Sequence, residues 1–198
     1  MCGRYWIEPE GEADLRILVE QALPQNALMK ASGEIRPGDS APVIARNRKL
    51  LRAAFPMIWN FPIGSGKYAI NIRGETADKK PLFKESAKER RCAVPASWYY
   101  EWQEQEKGKK AKYRFFSEDG GLLYMAGLYS LAEGAARFAV LTRPAFFEAA
   151  AVHPRMPALL SKDTVDAWIF GELGLEPLVT GPAKALCFAL DGPSFPAK

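Results

Sequence analysis

Residues Trp98-Tyr99-Tyr100-Glu101-Trp102-Gln103 stand at the centre of a series of short apolar and aromatic segments. The other segments of the series are Cys92-Ala93-Val94, Tyr113 to Phe116, Leu122 to Tyr129 and Arg137 to Leu141. Turns rich in Gly, Lys and Glu separate them, and such turns typically join antiparallel strands. This spacing predicts a meander or barrel of mostly antiparallel strands.

The flanking sequence adds helices and further strands to this core. Glu12 to Leu23 places apolar residues at helical spacing and stops at Pro24, which predicts an amphipathic helix. Two apolar segments around the polar turn at 46–49 predict a hairpin of Ala41 to Ala45 with Leu50 to Phe55. We also predict a short helix from Leu82 to Arg90, a helix that Ser161 caps and that runs through Phe170 to Gly171, and a strand from Ala183 to Leu190. The predicted fold class is α+β, with a barrel-like β core and a few peripheral helices.

Length and composition favour one domain, and they exclude several classes of protein. The chain has 198 residues, of which 48% are hydrophobic, enough to bury a substantial core, and no linker divides it. We therefore expect a single domain over residues 1–198. The sequence contains neither an apolar run of about 18 residues nor a secretory signal pattern, so we expect a cytoplasmic protein without membrane association. The net charge of +4 is compatible with a polyanionic partner but does not require one.

The three cysteines are odd in number and widely separated, which argues against a disulfide framework, and no Cys/His cluster indicates a metal site. We expect no metal and no cofactor. Cys92 and Cys187 have apolar neighbours and are interpreted as core residues. Cys2 is different, because removal of Met1 would give it a free α-amine beside its thiol. Such a 1,2-aminothiol can form a Schiff base with an aldehyde and then close a thiazolidine ring, although a cysteine can also occupy position 2 by chance.

Polar residues inside apolar or aromatic runs are further candidate functional residues, because a buried charge is costly unless it has a partner or a functional role. Glu101 lies within a predicted strand, where a carboxylate on the solvent side of a sheet is the alternative. His153 is the only histidine, and a lone histidine is more often structural than catalytic. Asn71 and Arg73 share one face of a strand, and they could equally form a capped strand end with an exposed arginine.

Taken together, these segments resemble the SOS response-associated peptidase (SRAP) domain family in order and spacing, from residue 2 to about residue 170. The matching motifs are Met1-Cys2-Gly3-Arg4-Tyr5, Trp59 in a Met-x-Trp stretch, Asn71-x-Arg73-x-Glu75-Thr76, Arg91-Cys92-x-Val94-Pro95, Tyr100-Glu101-Trp102, Ala126-Gly127-Leu128-Tyr129 and His153-x-Arg155-Met156-Pro157. The closing Asp191-Gly192-Pro193 also looks like the family's last segment. Among the departures, Trp98-Tyr99 stands where the family commonly has Gly-Phe.

The resemblance implies a sensor of abasic sites in single-stranded DNA that forms a thiazolidine DNA-protein crosslink through the processed Cys2. It implies that Asn71 positions Cys2 and the sugar, that Glu101 moves protons, and that His153 helps to open the abasic sugar ring. It further implies DNA contacts, with phosphates held by Arg4, Arg73 and Thr142 and with bases stacked on Trp59 and Trp102.

Two other classes of function stay open at this point. One is a peptidase or amidohydrolase in which Cys2 is an N-terminal nucleophile, including the self-directed removal of Met1. The other is a non-catalytic module that binds single-stranded nucleic acid through basic and aromatic residues alone. For all of these we expect a monomer, located in the cytoplasm and at the nucleoid when bound to DNA.

Overall fold

The structure is a computed structural model, and it describes residues 2–10, 13–26, 28–132, 134–181 and 186–191. The strands in chain order are β1 (Arg4–Ile7), β2 (Gly33–Ile35), β3 (Ser40–Arg46), β4 (Arg52–Trp59), β5 (Phe61–Pro62), β6 (Tyr68–Ala69), β7 (Asn71–Arg73), β8 (Arg91–Ala96), β9 (Trp98–Glu104), β10 (Lys110–Ser117), β11 (Leu123–Ala132), β12 (Ala135–Pro144), β13 (Arg155–Pro157), β14 (Leu159–Leu160) and β15 (Leu186–Leu190). The α-helices are α1 (Ala13–Ala22), α2 (Pro81–Glu89), α3 (Phe147–Val152), α4 (Val165–Ile169) and α5 (Leu175–Thr180), and short 3-10 turns cover Leu23–Gln25, Gly74–Thr76, Glu106–Gly108 and Lys162–Thr164.

Five strands close into a barrel, which confirms the predicted barrel-like β core. Around the ring the order is β12, β4, β3, β8 and β11, and β11 pairs with β12 to complete it. Most pairings are antiparallel, but β12 pairs in parallel with both β4 and β7. The short strands β13 and β14 extend the barrel wall beside β12 and β11.

A second, five-stranded sheet packs beside the barrel in the order β15-β10-β9-β1-β2. The N-terminal strand β1 lies in its interior, because Arg4, Tyr5 and Trp6 pair with Tyr100, Tyr99 and Trp98 of β9. One face of this sheet is buried and includes Tyr5, Tyr99 and Phe115, each at most 1% exposed. This arrangement brings the first residues of the chain next to the middle of β9.

Most predicted elements are confirmed, with boundaries shifted by one to several residues. Helix α1 buries Leu15, Leu18, Val19 and Ala22, as its periodicity predicts. The predicted hairpin is β3 with β4, although its second strand begins at Arg52, since Leu50 has a φ of 56° and belongs to the turn. Within the described residues, no helix is both long enough and apolar enough to cross a membrane.

Three predictions near the C-terminal end need correction or lie outside the described residues. The predicted helix from Ser161 is shorter: a 3-10 turn precedes α4, and Ser161 makes no side-chain cap; its Oγ lies 3.0 Å from the hydroxyl of Thr164 instead. Cys187 is half-buried on the edge strand β15 rather than a core residue, whereas Cys92 is fully buried. Residues 183–185 of the predicted last strand, together with Gly192 and Pro193, lie outside the described residues.

Candidate active site

Cys2 lies fully buried two residues before β1, in contact with Asn71 of β7. Its thiol points to the carbonyl oxygen of Arg4 at 3.6 Å, and its own carbonyl oxygen accepts a 2.7 Å hydrogen bond from the side-chain amide of Asn71. Burial, followed by the negative charge of Glu101, raises the pKa of the Cys2 thiol above its ordinary value. The sulfur is therefore a protonated thiol at neutral pH in this environment.

Glu101 lies on β9, and its side chain is on the buried face of the five-stranded sheet. It is only 3% exposed, so the alternative of a solvated surface carboxylate is wrong. Burial raises the pKa of the Glu101 carboxyl, and the nearby His153 partly opposes this effect. A carboxyl with a raised pKa keeps its proton at a higher pH than an exposed glutamate does, which suits it to general acid-base chemistry.

His153 follows α3 and faces Glu101, with 3.9 Å between its Nδ1 and Oε1 of the carboxyl group. The same Nδ1 atom lies 3.0 Å from both the backbone N–H and the carbonyl oxygen of Arg155. A neutral ring can accept from that N–H, and a ring protonated at Nδ1 can donate to that carbonyl. The backbone of Arg155 can therefore hold the imidazole in either protonation state.

Asn71 and Arg73 sit on the short strand β7, which pairs in parallel with β12. The Asn71 amide donates to Cys2, while its oxygen Oδ1 is buried and has no hydrogen-bond partner among the described residues. The Arg73 side chain is exposed. The strand thus presents a positioning amide inwards and a positive charge to solvent.

An ion pair that the sequence pattern does not predict joins two of the predicted motifs. The guanidinium of Arg155 binds both carboxylate oxygens of Glu75, with NH2 at 2.9 Å from Oε2, and it also donates to the carbonyl and the hydroxyl of Thr142. The only indication of this pair in the sequence is that Asn71-x-Arg73-x-Glu75 ends in a negative charge and His153-x-Arg155 ends in a positive charge. This pair fixes the segment after Asn71 against the segment after His153.

Two of the predicted DNA contacts are corrected by their burial. Thr142 is 0% exposed, and its hydroxyl lies between Arg155 and the carbonyl of Ile72, so it offers no donor to a phosphate. Trp59 is also 0% exposed; its indole N–H donates to the carbonyl of Ile70 at 2.8 Å, and its ring stacks on Phe138. Trp59 is therefore a core residue without a face for a base.

The remaining predicted contacts, Arg4 and Trp102, lie together on the other face of the five-stranded sheet. The Arg4 guanidinium lies 5.5 Å from the centroid of the Trp102 ring, and its NH1 is 3.3 Å from the carboxylate of Glu34. Trp102 is half-buried and lines the cleft described next. A partly accessible aromatic ring with an adjacent cation is a feature of single-strand binding surfaces.

An open cleft of about 810 Å³ leads to Glu101 and His153. Its other walls are Trp102, Gln103 and Glu104 of β9, Lys110 of β10, and residues 150–152 and 154 at the C-terminal end of α3. Within the described residues, no group of three or more His, Cys, Asp or Glu side chains could hold a metal ion.

The fold is a closed five-stranded barrel beside a five-stranded sheet, with the buried Cys2 held by Asn71 of β7 and the buried Glu101 on β9. The sequence model of the family described as SOS response associated peptidase (SRAP) matches residues 1–179, and the chain belongs to this family.

Curated relatives carry names that refer to abasic sites. The abasic site processing protein YoqW of Bacillus subtilis is 26% identical over 181 residues, which cover 85% of this chain and 80% of the relative. The abasic site processing protein HMCES of Xenopus tropicalis is 32% identical over 128 residues, which cover 52% of this chain and 38% of the relative.

Solved structures share the fold. A protein from Bacteroides thetaiotaomicron superposes with a TM-score of 0.77 at 18% identity, covering 96% of this chain and 91% of the other. A phage-related protein from Bordetella bronchiseptica gives a TM-score of 0.72 at 25% identity, covering 96% and 93%.

Proposed function

We propose that this protein captures abasic sites in single-stranded DNA as a covalent thiazolidine crosslink through Cys2, after removal of Met1. The observation that carries the proposal is the environment of the buried Cys2: Asn71 holds its carbonyl at 2.7 Å, and the strand that follows Cys2 pairs with β9, which carries the buried Glu101. Membership of the SRAP family and the names of the relatives, which process abasic sites, support the same substrate.

The chemistry needs a free α-amine, because the nitrogen of a peptide bond is not a nucleophile. The amine adds to the aldehyde of the ring-opened abasic sugar and gives a carbinolamine, which loses one water to give an imine. The thiol sulfur then bonds to the imine carbon, and its proton passes to the nitrogen as the five-membered ring closes. Since burial keeps the Cys2 sulfur protonated, the amine attacks first and the thiol follows.

Glu101 and His153 have the positions that proton transfer requires. Glu101, with its raised pKa, accepts a proton from the amine and returns it to the departing hydroxyl of the carbinolamine. His153 lies beside Glu101 and lines the same open cleft, where it can protonate the ring oxygen of the closed sugar. Asn71 keeps the Cys2 backbone in place while the bonds change.

DNA binding is assigned to three exposed or half-buried side chains. Arg73 and Arg4 contact phosphates, and Trp102 stacks on a base, which gives binding without sequence preference. A single domain, a monomeric state and a cytoplasmic location stay predictions, and so does the preference for single strands.

The decisive experiment mixes protein of verified N-terminal mass with an abasic single-stranded oligonucleotide and follows adducts by denaturing electrophoresis. The mature protein should give a stable adduct, and protein that retains Met1 should give none. Cys2→Ser should lose the stable adduct but give a borohydride-reducible imine, since its amine remains. A stable adduct of Cys2→Ser without reductant would overturn the assignment of the thiol, and turnover of peptides in the absence of DNA would support the peptidase alternative instead.

A further inference from the structure

The solvent-facing side of the five-stranded sheet carries an unusual set of aromatic and cationic side chains, here called the outer aromatic face. Cross-strand partners and alternate residues of one strand share a face of a sheet, so the register defines its members. They are Arg4 and Trp6 of β1, Trp98, Tyr100 and Trp102 of β9, and Lys112, Arg114 and Phe116 of β10. Tyr100 itself is only 4% exposed, with Lys112 over its ring, so the other members form the accessible surface.

The rings of this face are arranged as a stacking platform. Trp6 stacks on Trp98 with centroids 5.5 Å apart and an interplanar angle of 8°. The Arg114 guanidinium lies 5.7 Å from the centroids of both Trp98 and Phe116. Trp6, Trp98, Arg114 and Phe116 are all half-buried, so each presents part of its side chain to solvent.

The end of the face that is remote from Cys2 contains a pocket of about 330 Å³. Trp98, Arg114 and Phe116 form its aromatic and cationic wall, and Glu8 and Glu10 stand at its rim. Carboxylates repel phosphates but accept hydrogen bonds from the N–H groups of bases. The pocket therefore suits the flat ring of a base better than it suits a phosphate group.

The middle of the face is cationic and suits a phosphate backbone. Arg4, Arg36 and Lys112 surround the single carboxylate of Glu34, at 3.3, 2.6 and 3.7 Å. Lys112 also lies 3.6 Å from the centroid of the Tyr100 ring and pairs with Asp191 at 2.7 Å. Arg4, Arg36 and Lys112 face two carboxylates, those of Glu34 and Asp191, which leaves an excess of one positive charge in this part of the face.

We propose that the outer aromatic face is a second binding surface for single-stranded nucleic acid, with an unpaired base in the pocket of Trp98, Arg114 and Phe116. The path of the DNA over this face rests on the proposed function. With the abasic site at Cys2, the DNA runs past Arg4 and Trp102 and continues over Lys112 to Trp98. Trp102 and Trp98 are four residues apart on β9, about 13 Å, a distance that a few nucleotides span. Aromatic rings interleaved with cations are the recurrent chemistry of sequence-tolerant single-strand binding.

The proposal is tested with two kinds of oligonucleotide. Affinity for an undamaged single strand, which undergoes no chemistry at Cys2, is measured by fluorescence anisotropy of an attached dye. The crosslinking rate is then measured with abasic strands of different length. The shortest strand has one nucleotide on each side of the abasic site, and the others are extended on the 5′ side or on the 3′ side. We expect Trp98→Ala to weaken binding of the undamaged strand about tenfold, the effect of losing one stacked base. It should also abolish the gain in rate from one of the two extensions while leaving the shortest strand unaffected.

Two further variants keep the test interpretable. Phe188→Ala removes a ring of 40% exposure from the opposite face of the same sheet, and it should leave affinity and length dependence unchanged. Arg114→Gln keeps all the rings but removes the cation, and it should weaken binding of the undamaged strand severalfold. This variant replaces Trp98→Ala in the test if Trp98→Ala proves unstable. The proposal would be overturned if Trp98→Ala and Arg114→Gln both bound the undamaged strand with wild-type affinity. It would also be overturned if Trp98→Ala lowered the crosslinking rate equally for the shortest and the extended abasic strands. Absence of any adduct in the wild type, with weakened binding in Trp98→Ala, would refute the proposed function and leave the outer aromatic face supported.

Discussion

The carboxyl of Glu101 and the imidazole of His153 lie 3.9 Å apart, with the carboxyl on the buried side and the imidazole towards the open cleft. A positive charge on an imidazole at this distance would favour the ionised form of the Glu101 carboxyl, which opposes the effect of burial on the pKa of that carboxyl. Burial raises the pKa of Glu101, which lets this carboxyl act as an acid at a pH where an exposed glutamate is fully ionised.

Glu101→Gln should separate binding from chemistry. The amide keeps the size of the side chain but cannot carry a proton, so affinity for abasic single-stranded DNA should stay near that of the wild type. The crosslinking rate should fall about 10²-fold, at the lower end of the range for general acid-base catalysis. Raising the pH should partly restore the rate, because an α-amine with an ordinary pKa of about 8 then loses its proton to solvent.

The matched control is Glu104→Gln, which changes an exposed carboxylate on the same strand and the same cleft. It should crosslink at the wild-type rate in single-turnover measurements at pH 7. If Glu101→Gln also keeps that rate, the proton is carried by His153 or by water.

The β core could be predicted from the sequence, because each strand from Trp98 onward is a local apolar segment between turn residues. Closure of the barrel could not, since it depends on the parallel pairing of β12 with β4 and on the pairing of β3 with β8, which join distant segments. The place of β1 between β9 and β2 is likewise a long-range pairing that four residues do not encode locally.

For the site, the sequence identified residue types but not their exposure. Trp59 and Thr142 have the side chains of a base-stacking ring and a phosphate donor, yet tertiary packing buries both. The Arg155 ion pair with Glu75 joins motifs 80 positions apart, and only the fold brings them together. Glu34, which neutralises part of the charge around Arg4, lies in a short strand without any distinguishing pattern.

Asn71→Ala should slow crosslinking without weakening DNA binding, because Asn71 holds the carbonyl of Cys2 at 2.7 Å and its side chain is not a cation. Loss of one such hydrogen bond costs about 1 kcal/mol, which corresponds to roughly a fivefold lower rate if it acts only by positioning. Asn71→Asp should be slower still, because a carboxylate cannot donate to that carbonyl. Asn26→Ala, in a loop away from Cys2, is the control. Equal loss of affinity and rate in Asn71→Ala would instead identify Asn71 as a DNA contact.

Trp59 and Trp102 should respond in opposite ways to substitution. Trp59→Phe leaves a cavity and removes the hydrogen bond to Ile70, so urea unfolding should show a loss of about 1–3 kcal/mol with unchanged affinity for single-stranded DNA. Trp102→Ala should change stability little but weaken binding about fivefold to 100-fold, the effect of one stacked base. Weakened DNA binding in a Trp59→Phe protein of normal stability would mean that Trp59 becomes exposed when DNA binds.

Arg73 and Arg4 should differ in their contribution to the salt dependence of binding. Arg73 is exposed, and its removal should reduce the log-log slope of affinity against salt by about 0.7, one counterion on a single strand. Arg4→Ala should reduce the slope by less, because Glu34 already neutralises part of the Arg4 charge. Arg48→Ala, an exposed arginine in the turn between β3 and β4, should leave the slope unchanged. A slope unaffected by Arg73→Ala would locate the DNA path elsewhere.

Glu75 should stabilise the fold in a pH-dependent way. The hydrogen bonds from Arg155 lower the pKa of the Glu75 carboxyl below its ordinary value. A carboxyl with a lowered pKa in the folded state contributes stability that is present above its ordinary pKa and is lost as the pH falls through the lowered value.

At pH 7, Glu75→Gln should therefore reduce the free energy of unfolding by about 1–2 kcal/mol, a value discounted because the Glu75 side chain is 34% exposed. For a chain of this length, that loss lowers the melting temperature by roughly 2–8 °C. The difference from the wild type should shrink as the pH is lowered from 5 towards 2, when the wild-type carboxyl also becomes protonated. Glu85→Gln breaks the pair with Arg90 at a carboxylate that is 71% exposed, so it should cost less than about 0.5 kcal/mol at any pH. Urea unfolding at several pH values measures both effects, and a Glu75→Gln deficit that stays constant from pH 7 to pH 2 would show that Glu75 acts through packing and not through its charge.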